Sequence, residues 1–245
     1  MTVTASPAVS AAPPQWLRAV RFLMRSQLAT FAGFWLTIVV AAVVGTAVVV
    51  AVGEVTISHV QFARYGALWF PFSIMAITAT AYLPLHVASG LTRRSFARAT
   101  VTVSVLMGVA HGVLLTAGLV VERRVYAAQG WPLVAETDSN PFAGVGLPTL
   151  LVTLCMVSIA GHLGGLLTTL VYYRWGWVVG TLCLPLTLAP IFLVGAGGLP
   201  TGQWSPVRPD LSLPGATAVA LAVLAAAALA VHFLTRRIPI RRVES

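Results

Sequence analysis

The run from Leu28 to Val52 constrains this chain more than any other feature, because its 25 residues include no ionisable side chain. A bilayer's hydrocarbon core is about 30 Å thick and takes roughly 20 apolar residues to cross as a helix, so this Val-rich run is longer than a soluble core helix requires. Within lipid the backbone must satisfy its own polar groups, which makes a helix the expected form. Five further stretches meet the same demand, and the spans are placed at 28–52, 67–91, 99–121, 145–173, 177–197 and 214–235. The fold class expected is therefore all-α, a polytopic membrane protein with six transmembrane helices. Pro185 and Pro190 lie within the fifth stretch and Gly195, Gly197 and Gly198 at its end, so a kinked or re-entrant path is expected there.

Composition excludes the competing classes. Of 245 residues, 58% are hydrophobic and 9% charged, too apolar for one or two soluble domains. The net charge of +9 resides in arginines flanking the spans and not in a soluble basic domain, so nucleic acid is not an expected partner. All 15 basic residues are Arg, which reads as the codon bias of a GC-rich bacterial genome. Residues 1–14 lack a charged segment before an apolar core and read as a disordered tail, not a cleaved signal peptide. Residues 236–245 form a short basic tail. Cys155 and Cys183 fall in spans, where thiols act as small apolar groups.

Eleven arginines fall on one side of the spans: Arg18, Arg21, Arg25, Arg93, Arg94, Arg98, Arg174, Arg236, Arg237, Arg241 and Arg242. By the positive-inside rule that side, with both termini, is cytoplasmic. Arg64, Arg123, Arg124 and Arg208 fall opposite, where Glu122 is placed to pair with Arg123 and Arg124.

Two segments on the basic side carry more than charge. In residues 15–27, helical spacing sets Arg18, Arg21 and Arg25 on one face and Trp16, Val20, Leu23 and Met24 towards the other, the pattern of an interfacial amphipathic helix. Between spans two and three, Leu91 and Phe96 sit among Arg93, Arg94 and Arg98, a combination expected as a short transverse helix with an apolar knob or as a solvated turn.

His86, His111 and His162 lie in spans two, three and four, and no carboxylate lies well inside any span, which disfavours a carboxylate proton relay. His111 adjoins Gly108-x-x-x-Gly112 and His162 lies within Gly161-x-x-x-Gly165, spacings that allow close helix approach. These histidines read as helix–helix contacts or as the lining of a translocation surface. Ala218, Ala222, Ala226 and Ala230 form a ridge of small residues in span six, for packing within the subunit or between subunits. The outer loops, with Trp131, Glu136, Asp138 and Trp204, have no metal-ligand or catalytic pattern.

The string Gly90-Leu91-Thr92-Arg93-Arg94-Ser95-Phe96 resembles the cytoplasmic loop after the second span of ABC type-2 permeases, the membrane subunits of bacterial ABC exporters. Glu122 at the end of span three, Gly130-Trp131 and Arg174-Trp175-Gly176 are similar to the same family, and the resemblance extends over nearly all of the chain after residue 15. It implies a permease subunit in the bacterial cytoplasmic membrane, forming the translocation path with a second permease subunit and driven by a separate ABC ATPase. It also implies that Gly90, Thr92, Arg93, Arg94 and Phe96, with the 16–25 segment, transmit nucleotide-driven motion. The chain has no Lys and no G-x-x-x-x-G-K-[ST] string, so ATP and Mg²⁺ are expected on the partner and no cofactor in this chain. An intramembrane enzyme is disfavoured by the absence of H-E-x-x-H. The alternative is a non-transporting six-span protein, an immunity or regulatory subunit.

Overall fold

The computed structural model describes residues 13–131, 142, 145–196, 211–236 and 238. Residues 1–12 of the expected 1–14 tail, the outer-loop residues Glu136, Asp138 and Trp204, and Arg208, Arg237, Arg241 and Arg242 lie outside the described residues. The described residues form helices α1 (Gln15–Val52), α2 (Ala63–Ala88), α3 (Arg93–Gln129), α4 (Leu147–Leu182), α5 (Leu184–Ala196) and α6 (Leu213–Arg236), with a 3-10 turn at Val60–Phe62 before α2. Five of these helices are long and apolar enough to cross a membrane, and α5 contributes a shorter apolar segment. The chain is thus all-helical over the described residues and membrane-embedded in character.

Residues 15–27 do not form a separate interfacial helix. They are the first turns of α1, which continues unbroken for 38 residues. No proline interrupts Gln15–Val52, so the i to i−4 ladder propagates across the expected junction. In these first turns Ala19, Val20 and Leu23 pack with Ala99, Val103 and Met107 of α3, while Arg18, Arg21 and Arg25 are exposed.

The expected transverse helix after span two is likewise absent, because Arg93 begins α3 itself. Helix α2 ends when Gly90 takes φ +75°, and Leu91 N–H reaches back to His86 O at 3.2 Å, a Schellman closure. Thr92 then caps α3 by accepting from Ser95 N–H at 3.2 Å. The connection has only four residues.

Glycines set how closely the helices pack. A Cβ on Gly108 or Gly112 would fall within 2.5 Å of Ile159 or Cys155 atoms on α4, and one on Gly161 or Gly165 would meet the carbonyl oxygens of Leu68 and Phe72 at 2.5 and 2.1 Å. Helix α4 is the hub, touching α2, α3, α5 and α6. The core around it joins Leu166 and Leu170 of α4 to Leu68 and Met75 of α2, Ile191 of α5 and Leu224 of α6.

The chain reverses within α4. Gly176 has φ +80° and ψ −177°, a region open in practice only to glycine. Beyond it the chain runs back alongside itself: the Tyr172 hydroxyl meets Thr181 Oγ1 at 2.9 Å, Thr168 Oγ1 donates to Thr187 Oγ1 at 3.0 Å, and Ile191 lies against Gly164. In α6 the buried face is Ala216, Ala220, Leu224, Ala227 and Val231. Of the Ala218, Ala222, Ala226 and Ala230 ridge, the first three are exposed, while Ala230 is half-buried and packs against the core.

Candidate functional site

Polar side chains gather at three levels of the bundle. At the basic end, Phe22 of α1 meets Tyr82 of α2 edge-on at 5.3 Å. Beside this pair a cleft of about 420 Å³ is lined by Arg18, Phe22, Leu85, Ser89 and Leu91 among others. It joins the two segments singled out in the sequence, the start of α1 and the loop after α2. Arg94 is exposed and Arg93 half-buried, but Phe96 is only 1% exposed and belongs to the main core. Phe96 is therefore not a surface knob, because α3 begins early enough to turn it inward against α2 and α4. His86 also sits at this end, with Nε2 2.9 Å from Ser95 Oγ and its ring against Phe96 at 5.3 Å.

At mid-bundle, Trp35 Nε1–H donates to His111 Nδ1 at 3.1 Å, and His162 Nδ1–H donates to Ser158 O at 2.7 Å. The two imidazoles lie 5.7 Å apart between ring centres. Phe31, Phe34 and Phe70 surround His111. One helical step towards the basic end, Gln27 Nε2 donates to Thr78 Oγ1 at 3.2 Å. Hence His111 and His162 come together as their glycine neighbours imply, whereas His86 lies apart.

At the opposite end, Glu122 is 8% exposed and saturated with donors. It accepts from the Ser58 hydroxyl, from His59 N–H at 2.7 Å, from Val60 N–H at 2.9 Å and from the Tyr126 hydroxyl at 3.3 Å. The carboxylate thus caps the turn leading into α2, where orphan N–H groups favour an anion. Glu122 pairs with neither neighbouring arginine, since Arg123 instead donates to the carbonyls of Val145, at 3.1 Å, and Phe142. His59 Nδ1 lies 2.9 Å from the Tyr126 hydroxyl. Nearby, the buried Arg64 guanidinium stacks over Tyr65 and donates to its hydroxyl at 2.7 Å. An apolar groove of about 550 Å³ between α1 and α3, lined by Val39, Val43, Gly118 and Glu122 among others, opens above this cluster.

Reading the sequence missed Gln27, Trp35, Ser58, His59 and Tyr126. Gln27 was detectable, because it continues the buried Val20 and Leu23 face at helical spacing. Glu122 and Tyr126 are an i, i+4 pair. The Ser58 contact spans 64 residues and has no local signature. Among the described residues no group of three or more His, Cys, Asp or Glu is placed to hold a metal ion. Comparison with known protein families, curated proteins and solved structures finds no match.

Proposed function

We propose that this chain is the permease subunit of an ABC exporter, paired with a second permease subunit in a bacterial cytoplasmic membrane and driven by a separate ATPase. One observation carries the reading: the basic, partly apolar cleft at Arg18, Phe22, Ser89 and Leu91 unites the two segments that the sequence resemblance assigns to ATPase coupling. Arg21, Arg25 and Arg94, in the same two segments, are exposed, a surface suited to an acidic partner. The reversal at Gly176 supports a six-span count, because residues 177–196 retrace α4 and would bring α6 back to the basic, cytoplasmic end. In this mechanism Gly90 and Thr92 fix the loop, Arg93 and Arg94 meet the ATPase, and Phe96 anchors the loop in the core. Substrate passes along the interface of two permease subunits without covalent chemistry in this chain.

The test is co-purification of the tagged full chain from its native membrane, with any ABC ATPase subunit it retains identified and quantified. Replacing Arg18, Arg93 and Arg94 with Glu should lower ATPase retention at least about tenfold while the membrane yield holds, by loss of several charge pairs. Undiminished retention in that triple variant refutes the coupling role. No ABC ATPase retained by the unmodified chain favours the regulatory or immunity reading.

A further inference from the structure

We propose that the cavity between α1, α2, α3 and α4 is a binding site for a single water molecule, held between His111 Nε2–H as donor and His162 Nε2 as acceptor. The proposal is independent of the transport reading and begins from two hydrogen bonds. An indole N–H can only donate, so His111 Nδ1, 3.1 Å from Trp35 Nε1, must be the unprotonated nitrogen of its ring. In a neutral imidazole the proton then sits on Nε2. At His162 the opposite holds: Nδ1 faces the Ser158 carbonyl at 2.7 Å and must carry the proton, leaving Nε2 with a lone pair.

The free nitrogens are therefore complementary, one donor and one acceptor. The rings are 5.7 Å apart between centres and tilted by 49°, and they form no hydrogen bond to each other. Both line one cavity of about 10 Å³. That is about the smallest volume that accommodates a water, which also requires two to four polar partners. Gln27 lines the same cavity, and with its amide nitrogen committed to Thr78 its carbonyl oxygen is a second acceptor for the water.

Two imidazoles beside the Met107 thioether, which also lines the cavity, resemble a soft-metal site, but the tautomers oppose it. Metal ligation needs a lone pair on the nitrogen facing the ion, and the Trp35 bond puts a proton on that nitrogen of His111. A hydroxylic molecule is the smallest ligand that accepts and donates at once. With it, a directed chain runs from Trp35 through His111, water and His162 to the Ser158 carbonyl, linking α1, α3 and α4 at mid-bundle.

The test is solid-state NMR of the ¹⁵N-histidine-labelled full chain in lipid bilayers, since protonated and unprotonated ring nitrogens resonate far apart. The two signals are assigned by their loss in His111→Asn and His162→Asn. The expected result is Nε2–H at His111, Nδ1–H at His162, and magnetisation transfer from a bound water to the His111 Nε2–H proton. In Trp35→Phe, His111 should distribute over both tautomers while His162 keeps its own. The same tautomer at both rings, direct coupling between the two imidazoles, or no water transfer overturns the proposal. So does one equivalent of silver(I) bound by the unmodified chain and lost in both histidine variants.

Discussion

Glu122 is the residue whose chemistry is most out of keeping with its place. A carboxylate that is 8% exposed must replace its lost hydration, and here four protein donors do so. Hydrogen bonds to a charged group contribute about 1.5–3 kcal/mol each, and a partner left unsatisfied costs about 1–3 kcal/mol. Glu122→Ala strands the Ser58 hydroxyl and the His59 and Val60 N–H groups together, so a loss of about 3 kcal/mol or more is expected. Glu122→Gln keeps an oxygen acceptor but gives up the charge, and should cost roughly half as much. Thermal unfolding in detergent, followed by helical signal, ranks the three proteins; equal midpoints for Glu122→Ala and the parent would overturn this account. None of this was legible in the sequence, where Glu122 reads as a partner for Arg123. The decisive donors lie more than 60 positions upstream.

Among the elements, α4 shows how far local pattern reaches. The Gly161 and Gly165 spacing announced a close contact, and the contact exists because the glycines let Leu68 and Phe72 carbonyls approach where a methyl group would stand. Gly165→Ala should therefore destabilise by about 1–3 kcal/mol through forced separation of α2 and α4. Gly33→Ala, with nothing within 4 Å of its new Cβ, should instead stabilise α1 by up to about 1 kcal/mol through helix propensity alone. Opposite shifts in unfolding midpoint are expected, and a Gly165→Ala protein as stable as the parent would show that the helices separate without cost. Where the sequence misled, it did so at element boundaries. Arginine clusters beside the spans suggested separate short helices at 15–27 and after Gly90, yet charged side chains are no barrier to helix propagation, and both segments merged into α1 and α3. Gly176, which falls between the fourth and fifth stretches read from the sequence, is the point where the chain turns back.

For the whole molecule, the number of crossings depends on that turn. If residues 177–196 cross the bilayer, Leu211 emerges on the side opposite Ser89, next to Gly53. In a Cys155→Ser, Cys183→Ser background, single cysteines at Gly53 and Leu211 should react with an impermeant maleimide from one side, and one at Ser89 from the other. Leu211 reacting together with Ser89 would rule out six crossings. The apolar runs made the membrane character of the chain legible from the start; the mutual placement of helices was not, because side-chain contacts such as Gln27 with Thr78 join residues far apart in sequence. One consequence of the unbroken α1 remains. Its buried residues end at Gln27, and beyond that point its polar ties to the bundle among the described residues are Trp35 to His111 and Thr46 to His59. Mechanically it is a beam held at three levels: by apolar packing at the arginine end, by Phe31, Phe34 and Trp35 against the bundle at mid-length, and by Thr46 near its tip. A load applied at the basic end is thus shared with the aromatic contacts around His111 before it reaches the valine-rich tip.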